Sequence, residues 1–88
     1  MITQQFQGVT PARWIDIKQV MHSDAHIDIQ NDEGSSEAHG INFSWLLASA
    51  VLTVTIDVPH FSWLLKAAGF HTEQDVMTKF AAWIDGVS

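Results

Sequence analysis

The sequence predicts an α+β domain of two layers: an antiparallel sheet with helices on one face, in the order β-α-β-β-β-α-α. Three observations predict it. Segments that alternate apolar and polar residues follow one another through the middle of the chain, joined by short turns. Segments with helical spacing flank them. The clearest alternating stretch has one apolar and one polar face, so one side of the sheet needs a cover. With 88 residues the chain is a single domain, 1–88. Hydrophobic residues make up 47% and charged residues 16%, the balance of a folding chain rather than a disordered one.

Ile2 to Gln7 alternates weakly and reads as a short edge strand. Thr10-Pro11 is a helix start, with Thr as N-cap and Pro at the first helical position. Trp14, Ile17 and Met21 then recur at spacings of three and four, opposite Arg13, Asp16 and Gln19, and predict an amphipathic helix over 11–21. Ala25 to Gln30 alternates around Ile27 and Ile29 and reads as a half-buried strand. Asn31-Asp32-Glu33-Gly34 is turn chemistry, with Gly34 free to take a positive φ.

From Ser35 to about Leu46, Ile41, Phe43 and Trp45 share one parity and predict a strand, with Gly40 as a bulge. Val51 to Val58 is the clearest strand: Leu52, Val54, Ile56 and Val58 on one face, Thr53, Thr55 and Asp57 on the other. Pro59 ends it. Phe61, Leu64, Leu65 and Ala68 then fall at helical spacing, with Gly69 as the cap. Thr72 starts a last helix, and Asp75 three residues on partly mimics a capping box, which prefers Glu or Gln there. Val76, Phe80, Trp83 and Ile84 form its apolar stripe, Gly86 closes it, and Asp75 and Lys79 stand as an i,i+4 pair.

One pentapeptide occurs twice, as Phe43-Ser44-Trp45-Leu46-Leu47 and Phe61-Ser62-Trp63-Leu64-Leu65. Two copies are too few for a repeat array. If the second is helical, residues 42–50 could equally be a short helix capped by Asn42. Short apolar runs are compatible with either state.

Composition excludes several functions. There is no cysteine, hence no disulfide framework and no thiolate metal site. Ten acids against four bases give a net charge of −6, which removes the electrostatic basis for gripping nucleic acid or an anionic membrane. The uncharged stretch between Glu37 and Asp57 is interrupted by polar residues and alternates, so it reads as sheet rather than membrane span. The start carries no secretory signal, and a cytoplasmic location is expected.

Three histidines, His22, His26 and His39, lie among five acids and are the weak candidates for a metal site. His22 and His26 are four apart, which puts both on one helix face only if the helix continues past Ser23-Asp24, and the H-E-x-x-H zincin motif is absent; so is an EF-hand loop, since Glu33 stands where that loop needs Gly. A solvated acidic hairpin is the plainer reading, and no metal or cofactor is expected. No nucleophile elbow or phosphate loop occurs. His60 and His71, each a candidate general base, fall in turns. The chain therefore reads as a non-enzyme: a small acidic interaction or regulatory module acting through self-association, as a homodimer, or through a protein partner. Four tryptophans exceed what a small core readily encloses, and Trp45 and Trp63, one in each pentapeptide, are the candidate contacts. The alternatives are a small-molecule-binding domain with an aromatic pocket and, further off, a His/carboxylate metal-dependent enzyme.

Overall fold

The computed structural model describes residues 1–25, 27–38 and 40–86. Four strands, β1 (Ile2–Phe6), β2 (Glu33–Ala38), β3 (Ile41–Ala48) and β4 (Val51–Asp57), form one antiparallel sheet in the order β1-β4-β3-β2. Three helices, α1 (Pro11–Val20), α2 (Trp63–Ala67) and α3 (Glu73–Asp85), complete the predicted order. No helix among the described residues is long and apolar enough to cross a membrane.

The sheet is two-faced because its register is set by alternation. Phe43, Trp45, Leu52, Val54 and Ile56 point into one core with Trp14, Ile17, Val76, Phe80 and Ile84 from the helices. Thr55 pairs with Ser44 and Thr3, and Thr53 with Leu46 and Gln5, on the opposite face. A one-residue slip would exchange these sets, so the apolar positions fix the register. α3 packs on β1 and β4, with α1 beside it. An Arg13 guanidinium nitrogen donates to the Ile84 carbonyl at 3.1 Å, bringing a cation to the C-terminal end of α3, whose last turn has no basic residue of its own.

Three expectations need correction. The strand expected over 25–30 is not found among its described residues, Ala25 and 27–30. α1 runs into a π-helical turn (Met21–Ala25), and the chain then passes as a loop that buries Ile27 and half-buries Ile29. The alternation there records one-sided burial of a loop, not pairing with a neighbour. Residues 35–46 are not one strand but parts of two, because the chain reverses at Gly40 (φ +80°), which is a turn residue and not a bulge. β2 has the sequence Glu-Gly-Ser-Ser-Glu-Ala, with no apolar run to announce it. As an edge strand it needs only the backbone partners that β3 offers, and its two acids suit an edge that stays unpaired. Gly34 belongs to this strand instead of a turn. A Cβ there would lie 2.9 Å from the Trp45 ring, so the glycine makes room for the indole across the strand pair.

The Trp45 indole N–H donates to the Asn31 carbonyl at 2.9 Å, and the Trp14 indole N–H to the Asp32 carboxylate at 3.0 Å. The Leu47 N–H donates to the Asp32 carbonyl at 2.7 Å. Two buried tryptophans thus tie the loop before β2 to the core, which satisfies their polar atoms as burial requires.

The β3–β4 hairpin closes through Ser49 (φ +53°) and Ala50 (φ +61°), two residues in a backbone region that favours an asparagine followed by a glycine. The Val9 N–H donates to the Ala50 carbonyl at 2.9 Å and locks the turn onto the β1–α1 connection. Ser49→Asn combined with Ala50→Gly is expected to stabilise the fold by about 1–2 kcal/mol, since an L side chain in this region costs about that much per residue. The gain would appear as a higher urea midpoint. An unchanged or lower midpoint would show that the native pair carries no such strain.

α3 begins with a complete capping box, Asp75 serving where Glu or Gln is usual. Thr72 Oγ1 accepts from the Asp75 N–H at 3.2 Å, and Asp75 Oδ2 accepts from the N–H groups of His71 and Thr72 at 2.9 and 3.0 Å. The His71 N–H, then that of Thr72, holds the Asp75 carboxyl below the ordinary carboxylate range. A carboxylate with a lowered folded pKa stabilises the fold above its unfolded pKa and loses that contribution as pH falls through the folded value. The melting temperature of the wild type is therefore expected to exceed that of Asp75→Asn near neutrality, and the gap to close below about pH 4. A gap that persists unchanged at the acid end of the titration would rule this out.

Candidate functional site

Beyond Pro59 the chain leaves the sheet, and Phe61, Leu65 and Phe70 pack against the core before α3 begins. Between β4 and α3 stands α2, five residues long, capped by Ser62, whose Oγ accepts from the Leu65 N–H at 3.4 Å. This helix buries Leu65 and exposes its neighbours. A short helix anchored by one side chain cannot close over the sheet, and a cleft of about 570 Å³ is left between it, α3 and the edge of the core.

The walls follow from the sequence. β3 sends Ile41 and Phe43 to its floor, the loop after the π-helical turn adds Ile27, and α2 adds Leu64 and Leu65, with Ala68 from its C-cap. From α3 come Val76, Phe80 and Trp83, which share one face through spacings of three and four. Phe43 and Phe80 stack with tilted rings 5.2 Å apart, and Trp83 meets Phe80 edge-on at 6.2 Å. Three polar side chains interrupt the apolar lining: Ser62, Asp24 on the π-helical turn, and Lys79 on α3. The Lys79 ammonium stands 5.4 Å from the centre of the Trp83 ring. Asp75 does not pair with it, because that carboxylate is held by the His71 and Thr72 N–H groups.

The two tryptophans of the repeated pentapeptide part company. Residues 43–47 lie in β3, so this stretch is strand and not helix as far as Ala48. Trp45 is 7% exposed, its ring packed over Gly34. Trp63 is 74% exposed and Leu64 62%, neighbours on α2, and of the two Leu64 lines the cleft. Of the remaining tryptophans, Trp14 is buried and Trp83 is partly buried in the cleft wall.

Of the histidines, the described ones are His22, His60 and His71. His22 Nδ1 meets Asp28 Oδ1 at 2.6 Å on the surface, and both side chains are well exposed. His26 and His39 lie outside the described residues. Among the described residues no three His or acidic side chains come close enough to share a metal ion. His60 and His71 are exposed; the contact formed by His71 is through its backbone. Ser44 lies on the outer face of β3 and Ser62 serves as a cap, and among the described residues neither makes a hydrogen bond to a histidine.

Sequence patterning does not announce the cleft. Its floor and one wall are the apolar parities of β3 and α3, which read as core. The signal that separates cleft from core is the brevity of α2, and local patterning does not report it. Comparison with protein-family models, with curated proteins and with solved structures finds no match to this chain.

Proposed function

We propose that this chain is a small binding module that takes an apolar ligand in the cleft between α2 and α3. The observation that carries the reading is the cleft itself. Its volume of about 570 Å³ falls in the range of small-ligand sites, and its walls are apolar and aromatic with few polar groups, the composition of such sites. A side chain filling the space would have been the simpler way to finish the core, because small domains bury little surface and gain from every contact.

A neutral probe, decanol, tests this without assuming a charge. Titrated into the protein and followed by amide and indole chemical shifts, it is expected to saturate with a Kd on the order of 10–100 μM. The shifts should concentrate at Val76, Phe80 and Trp83. Ala68→Trp, at an exposed position on the rim, is expected to fill the space and weaken binding at least about tenfold with the fold retained by circular dichroism. Shifts that do not saturate, or that survive Ala68→Trp, overturn the reading.

The exposure of Trp63 and Leu64 favours a second reading, self-association through α2. Sedimentation at micromolar concentration separates the two: a dimer weakened by Trp63→Ala and not by Gln74→Ala supports it, and a monomer throughout defeats it.

A further inference from the structure

Resting on the cleft reading, we infer that the ligand is a single-chain amphiphile bearing one negative charge, a carboxylate, which pairs with Lys79. The chain has four cationic side chains, and only Lys79 lines the cleft. Lys79 makes no ion pair among the described residues, although acids outnumber bases ten to four. The Trp83 ring stands within cation–π range of the ammonium, and Lys79 is exposed, so an anion entering the cleft can reach it. An anion arriving there need not displace the ring, because the ring engages one side of the ammonium and leaves its remaining protons for an acceptor.

Two further features narrow the class. Asp24, the other charged group of the lining, repels an anion, which leaves Lys79 as the lining group that draws a negative head. One ammonium neutralises one charge, and a net charge of −6 disfavours a second, which selects a monoanion over a phosphate dianion.

Three probes with the same chain and different heads test the assignment: decanoate, decanol and decyltrimethylammonium, each below its micelle concentration and followed by chemical shifts at neutral pH. Decanoate is expected to bind about fivefold more tightly than decanol, the contribution of one partly exposed ion pair. Lys79→Gln should abolish that preference and leave decanol binding unchanged, while Lys66→Gln, outside the cleft, should preserve it. Equal binding of decanoate and decanol, or a preference that survives Lys79→Gln, overturns the carboxylate assignment and leaves the cleft reading standing. Tightest binding of decyltrimethylammonium overturns it in favour of Asp24 as the directing charge. Failure of all three probes to bind overturns both.

Discussion

Trp45→Ala is expected to destabilise the protein by about 3–5 kcal/mol, the cost of emptying the site of a buried aromatic. Domains of this size have little stability to lose, so the variant should be largely unfolded in mild urea. The magnitude has two sources. The indole is almost wholly buried against Gly34, and its N–H satisfies the Asn31 carbonyl. Trp45→Phe separates them. It keeps most of the apolar contact and orphans the carbonyl, and the expected cost is about 1–3 kcal/mol. A loss below about 1 kcal/mol for Trp45→Ala would place the ring outside the core.

Gly34→Ala comes second. In a strand interior, alanine gains about 0.5–1 kcal/mol over glycine through the unfolded chain. Here the added Cβ would lie 2.9 Å from one ring carbon of Trp45 and 3.2 Å from another. The ring cannot swing aside without breaking its bond to Asn31, so overpacking wins, and a net loss of about 1–3 kcal/mol is expected. In a Trp45→Leu background the same change should cost much less, because the obstacle is gone. Chemical denaturation of the four proteins gives the coupling directly. Additive losses would show that Gly34 is needed for some reason other than the indole.

Much of the architecture is legible because it rests on patterns that local chemistry enforces. β4 carries its two faces in plain alternation, and Thr10-Pro11 and Thr72-Asp75 mark helix starts by supplying the hydrogen bonds those ends lack. β2 is not legible because an edge strand draws its order from its neighbour's backbone. Residues 27–30 mislead for the converse reason, since Ile27 and Ile29 are placed by burial without a strand partner. The pentapeptide shows the limit most directly. In β3 it alternates between core and solvent; at α2 the same five residues cap and begin a helix. What decides is outside the five: β2 and β4 on either side in one case, Pro59 and the open end of the sheet in the other. The candidate site depends on that second copy, and so shares the ambiguity.

β1 has to find β4 across more than half the chain, joining Ile2 to Ile56, whereas β2, β3 and β4 each pair with the strand next to them in sequence. Closing the long loop costs entropy before any pairing repays it, so the meander is the natural folding nucleus and β1 the last strand to arrive. Truncating Phe6 in β1 should therefore speed unfolding and scarcely slow folding, while truncating Val54 in β4 should slow folding itself. The order of assembly runs opposite to the order of synthesis: the first strand made waits for the fourth before it has a place.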